Sequence, residues 1–168
     1  LSQTDIAFYL ALSQRTYQSI ASVLFASFPK RPLRKTQTIS PTIEPLEMRI
    51  RASMVSDVRR GVDALRHAAF LQIAVPSDAC AEAVVMTALR NTKRGTRVLC
   101  PNFAALLRMH RALSSTHRVT LFHGDKSKND QWSSFCEARD GTHDVLLATR
   151  MGSLVPPPPH VSTFVLQS

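Results

Sequence analysis

The sequence predicts an α/β protein built on a parallel sheet. Three observations carry that expectation. Apolar runs of strand length recur at 70–75, 96–100, 118–122, 144–148 and 163–166. Between the first four lie longer stretches with helical periodicity, at 79–92, 103–114 and 128–139. Strands that alternate with helices form βαβ units, whose right-handed crossovers demand parallel pairing. The third observation is bulk composition. The 168 residues are 44% hydrophobic and 20% charged, which suits one globular domain with an N-terminal extension and argues against global disorder.

Taken in chain order, residues 1–28 place Ile6, Phe8, Tyr9, Leu12, Ile20, Val23, Leu24 and Phe28 at spacings that suit one or two amphipathic helices. Ser2 or Thr4 caps the first, and Pro29 stops the second. Residues 29–45 hold four prolines and four basic residues and read as an exposed linker. Residues 46–69 read as helical and basic, with Arg49, Arg51, Arg59, Arg60 and Arg66. The regular α/β pattern then runs over 70–168, and Gly95 is expected to end the helix after the first strand.

In a parallel sheet, function collects on the loops that leave the carboxyl ends of the strands. The first such loop lies in "LQIAVPSDACAEAVVMTALR", where Pro76, Ser77 and Asp78 join strand to helix. A phosphate loop needs glycines, so that backbone N–H groups wrap the phosphates, and a lysine for the outer oxygens. Neither occurs here, so Ser77 and Asp78 are expected to cap the helix, and Asp78 would repel an anion at its start. The second loop offers Pro101 and Asn102, with Asn102 as a cap, and Arg108 and Arg111 on the next helix are read as solvated. The third, His123-Gly124-Asp125, is a turn with a single histidine. The fourth, Thr149-Arg150, sets a hydroxyl and a guanidinium just beyond a buried strand, a pair suited to a backbone phosphate. Gly152 and Ser153 can add main-chain and hydroxyl donors. The four prolines 156–159 that follow are stiff and cannot join a ladder.

Charge narrows the class of partner. Lys plus Arg number 21 against 12 Asp plus Glu, a net +9, with a pI near 10.3. That balance favours polyanions, nucleic acid ahead of an anionic membrane. Cys80, Cys100 and Cys136 are odd in number and far apart, which supports neither a zinc site nor a disulfide framework and fits a reducing cytoplasm. No run approaches the about 18 apolar residues of a membrane span. The chain starts on Leu1, so a fragment, or a processed or mis-started chain, is expected.

Residues 119–168, "VTLFHGDKSKNDQWSSFCEARDGTHDVLLATRMGSLVPPPPHVSTFVLQS", resemble the first RecA-type lobe of the PriA family of primosomal replication-restart helicases. That family has a His-containing turn, a following helix with Trp, a "G-x-x-x-V" lead into a strand, and "GTRSA" before a proline tail. His123, Trp132, Gly141, Val145, Thr149, Arg150, Ser153 and Pro156 match. The stretch 95–113 is similar to the family's "G-x-x-V-L-x-L-V-P-E", keeping Pro101 but with Asn102 in place of the acid. The N-terminal segment is similar through Tyr9, Val23, Leu24, Pro29 and Leu33.

The chain also departs from the family. The phosphate loop would fall at 74–82, which reads "AVPSDACAE", and the acidic magnesium motif would start at Gln167-Ser168, where the sequence stops. No second lobe and no cysteine-rich zinc module follow. Without lysine, magnesium carboxylate or an opposing arginine, charge on a transferring phosphoryl group has no stabiliser. The resemblance therefore implies an incomplete RecA-like lobe that lacks ATPase chemistry, with no catalytic residue, no metal site and no cofactor. It implies a DNA-binding protein of replication restart that contacts forked or single-stranded DNA, other restart proteins and no membrane, in the cytoplasm at the nucleoid. Thr149, Arg150 and Ser153 would hold phosphates, reinforced by Arg59, Arg60, Lys93 and Arg94. The alternatives are a helicase with an unusual nucleotide site, a non-enzymatic scaffold for replication proteins, and a small anion-binding or transferase domain.

Overall fold

The computed structural model describes residues 2–28, 55–65, 74–75, 77–90, 95–156 and 161–167. Four strands, β1 (Thr96–Leu99), β2 (Val119–Phe122), β3 (Val145–Ala148) and β4 (Ser162–Val165), form one sheet in the order β2-β3-β1-β4. Every pairing is parallel, as the alternation of strands and helices requires. The register sets Leu99 opposite both Ala148 and Val165, and Phe122 opposite Ala148, so the four carboxyl ends are flush.

The side chains alternate between two cores, because successive residues of a strand point to opposite faces. Val98, Val145 and Leu147 join Leu106, Met109 and Leu113 of α5 (Phe103–Leu113) and Val85, Met86 and Leu89 of α4 (Asp78–Arg90) on the first face. Phe122, Leu146 and Ala148 meet Phe135 and Ala138 of α6 (Lys128–Asp140) on the second. Burying both faces explains why β3 reads as the unbroken apolar run Val145–Ala148, with every residue buried.

The N-terminal segment forms two helices, α1 (Gln3–Thr16) and α2 (Ile20–Ser27). Ser2 is the cap of α1, in a reciprocal box with Asp5, and Ser19 caps α2. The pair is tied to the second face by rings in series. Tyr9 lies 5.6 Å from Phe28, Phe28 lies 5.1 Å from Phe135, and Trp132 stacks on Phe135 at 5.9 Å. Helix α3 (Val55–Leu65) packs Val58 and Val62 against Cys80, Ala83 and Val84 of α4, outside the first face.

Of the strand expected at 70–75, only Ala74 and Val75 are described, and neither is in a strand. The linker at 29–45, Pro29 with it, and Arg49, Arg51 and Arg66 lie outside the described residues. Gly95 does not act as a left-handed helix cap. It stands directly before β1, and the glycine with positive φ among the described residues is Gly141 (φ 66), which ends α6 and donates to the Glu137 carbonyl. Arg108 is not simply solvated: it forms a two-pronged bond to Glu82, at 2.5 and 3.3 Å, that ties α5 to α4.

Candidate nucleic-acid interface

The order of the strands decides which loops share the carboxyl edge. β3 lies between β2 and β1, so the Thr149 loop sits between the His123 loop and the Cys100 loop. Main-chain bonds fix the three together: Thr149 N–H donates to the Phe122 carbonyl at 3.2 Å, and Cys100 N–H to Ala148 at 2.7 Å. The chain leaves β1 over the first face, through α5, and leaves β3 over the second, where the following turn packs. Adjacent strands whose connections part to opposite faces leave a crevice at their carboxyl ends.

Thr149 is extended, half-buried, and makes no side-chain cap to the 3-10 turn Arg150–Leu154 that it precedes. Arg150 is exposed, and among the described residues no carboxylate pairs with it. The turn beneath it is rigid for three reasons. Gly152 is pressed so close to the sheet that a Cβ would overlap that of Ala148 and stand 3.1 Å from Leu99. Gly152 N–H donates to the Thr149 carbonyl at 2.8 Å, and the Ser153 hydroxyl to the Arg150 carbonyl at 2.8 Å. From below, Arg97 of β1 donates from Nη1 to the carbonyls of Val155 (2.7 Å) and Gly152 (3.3 Å). The donors expected of Gly152 and Ser153 thus close the turn, and Thr149 and Arg150 are the groups it presents outward.

Arg97 escaped the reading of the sequence, although a cation inside "TRVL" was the signal for it. Its side chain is buried, its Nε has no hydrogen-bond partner, and burial pushes its pKa below the usual arginine range. Two further residues were missed. Phe103, the first residue of α5, is 39% exposed and lies against the His123 ring, with centroids 4.7 Å apart. Lys126 is half-buried and donates to the Leu121 carbonyl (2.8 Å) and the Ser134 hydroxyl (2.7 Å), anchoring the turn after β2 to α6. Burial lowers its pKa, against the opposing pull of Asp130 and Glu137.

His123 is 7% exposed, and its Nδ1, 3.9 Å from Asp125, has no hydrogen-bond partner. Burial and then the Lys126 ammonium hold its pKa below the ordinary histidine value, with Asp125 opposing. Asn102 accepts from Ala105 N–H at 2.9 Å and so caps α5, as expected.

The remaining expected residues are dispersed. Ser77 caps α4, accepting from Cys80 N–H at 3.3 Å, and Asp78 occupies the first turn. Arg59 and Arg60 are exposed on α3, and Arg60 is paired with Asp57 at 2.6 Å. Pro76, Lys93 and Arg94 lie outside the described residues.

Fold and edge together define a parallel α/β protein whose carboxyl edge presents a hydroxyl, an aromatic ring and an arginine that no carboxylate pairs among the described residues. No protein-family model matches the chain, and no curated protein matches it.

Proposed function

We propose that the chain is a PriA-like DNA-binding protein of replication restart, which holds the phosphates of forked or single-stranded DNA at its carboxyl edge and does not hydrolyse ATP. The observation that carries this reading is Arg150, exposed and without a carboxylate partner among the described residues, on a turn that Arg97 and Gly152 hold against the sheet. A guanidinium on a fixed turn loses little freedom when it meets a phosphate, and the net charge of +9 draws the polyanion in. The all-parallel α/β sheet supports a RecA-like lobe. Against a nucleotide site at residues 74–82 stand the absence of glycine and lysine, the Ser77 hydroxyl engaged in its cap, and the Asp78 carboxylate at the helix start.

Binding to fork DNA measured by fluorescence across a salt series, with ATP hydrolysis assayed on the same sample, tests the proposal. Affinity is expected to fall steeply with salt, phosphate release is expected to match a no-protein control, and Arg150→Ala is expected to weaken binding more than Arg111→Ala. Affinity that does not change between low and moderate salt refutes the reading. DNA-stimulated phosphate release points instead to a helicase with an unusual nucleotide site. Equal effects of the two substitutions remove Arg150 from the site.

A second reading, a scaffold without its own DNA contact, is favoured by Ile6 and Leu10, one turn apart on α1 and 45% and 46% exposed. Capture of replication proteins that survives high salt, together with no DNA shift at low salt, distinguishes it.

A further inference from the structure

Resting on the proposed DNA-binding edge, we infer that Phe103, backed by His123, is a stacking platform for an unpaired nucleobase, which makes single-stranded DNA the substrate of this edge. Base stacking on an aromatic ring beside a cationic backbone contact is how proteins hold single strands without reading sequence. The edge has both parts. Phe103 opens α5 at the carboxyl end of β1 and keeps 39% of its surface in solvent. Its ring meets His123 at 4.7 Å with the planes 52° apart, so the contact is tilted and the histidine supports the phenylalanine from the protein side, itself buried.

The two parts are neighbours. His123 follows Phe122, whose carbonyl accepts from Thr149 N–H, and the next residues touch as well: a Cβ on Gly124 would stand 3.4 Å from the sulfur of Met151. The His123–Gly124 turn therefore abuts the turn that carries Arg150. A strand whose phosphate meets Thr149 and Arg150 can set a neighbouring base on Phe103 across that turn. The chemistry of the platform suits a base and not a second phosphate. Burial and Lys126 keep the His123 ring uncharged at neutral pH, and Phe103 is apolar. A duplex cannot use such a site, because its bases are already stacked and turned inward.

The test compares the full chain on two oligonucleotides of equal length, one of thymidines and one abasic, which share phosphates and differ only in bases. The thymidine strand is expected to bind about tenfold more tightly, the usual scale for one stacked base. Phe103→Ala and Phe103→Leu are both expected to abolish that difference while the salt dependence stays unchanged, and Phe103→Trp to retain it. Phe103→Leu keeps an apolar side chain against His123, so a shared loss in both variants reports lost stacking and not lost packing. Equal affinity of the wild type for the two strands overturns the platform and leaves the phosphate-binding edge standing. If neither strand binds at low salt, the edge and the platform fall together. Retention of the base preference in Phe103→Ala also overturns the platform, since the bases are then met elsewhere.

Discussion

At Gly152 the turn after β3 lies so close to the sheet that any side chain would collide with Ala148, and Leu99 leaves no way around it. Gly152→Ala must lift the turn. That movement stretches the bonds from Arg97 to Gly152 and Val155 and tilts Arg150 off the edge. A loss of about 1–3 kcal/mol is expected, the usual cost of overpacking, read as a shifted urea midpoint, together with weaker DNA binding. Arg150→Ala, at an exposed position, should leave the midpoint within about 0.5 kcal/mol of wild type. A Gly152→Ala protein as stable as wild type would show that the turn is not pinned. The place of Thr149 and Arg150 just beyond a buried strand is legible in the sequence, because polar residues after an apolar run stand out. Arg97 was not, because the contact that gives it a purpose spans 55 and 58 residues of chain and only the fold brings the ends together.

Among the elements, α4 and α5 share the first face of the sheet, and Glu82 and Arg108 join them at its border. Glu82 is buried while Arg108 is half in solvent, with side-chain exposures of 5% and 46%, so the two partners are not equivalent. Arg108→Met leaves a buried carboxylate with no cation, whereas Glu82→Gln frees an arginine that water already reaches. The arginine variant is expected to be the less stable of the two, by about 1–3 kcal/mol on the scale of an unsatisfied buried polar group. Chemical denaturation of both decides the order, and the reverse order would mean that Glu82 is hydrated. The strands β1 to β4 and helices α4 to α6 fall close to where the periodicity sets them, since apolar runs and caps such as Asn102 and Ser77 are local signals. The docking of α1 and α2 was not legible. It depends on Phe28 meeting Phe135, a long-range ring contact that neither segment announces.

Across the whole molecule, buried histidines link stability to pH. His123 and His143 are 7% and 4% exposed, and burial is the first cause that lowers the pKa of each. Around His143 the Glu137 carbonyl and the Glu137 and Asp144 carboxylates pull the other way, while Arg118 adds to the lowering. The sign follows from the unfolded chain, where histidine takes up its proton near pH 6.5. Below that value the unfolded state binds protons that the folded state refuses. The stability is therefore full above about pH 6.5 and is lost as pH falls through the folded values. The melting temperature is expected to drop between about pH 7.5 and pH 5.5, with a slope of up to one proton per histidine, and His143→Gln should make it shallower while His123 and the likewise lowered His110 keep the rest. A melting temperature that rises on acidification would contradict the neutral, buried state of both rings.

The surplus of positive charge was the plainest statement the sequence made about a partner, yet composition does not say which cations act together. The fold separates them. Thr149 and Arg150 share the carboxyl edge with Phe103 and His123, while Arg59 and Arg60 ride on α3, which packs on the far side of α4 from the sheet. The two groups should therefore contribute unequally to the release of counterions. For a single strand each phosphate neutralised adds about 0.7 to the slope of log affinity against log salt. Arg150 has no competing carboxylate among the described residues, so Arg150→Ala should remove about that much of the slope. Arg60 must first give up Asp57, 2.6 Å away, so part of what it gains on a phosphate is offset by the pair it breaks. Arg60→Ala should lower the slope by less than Arg150→Ala. Titrations at four or more salt concentrations for both variants resolve the difference. A larger loss at Arg60 would place the nucleic acid along α3 and move the interface away from the edge of the sheet.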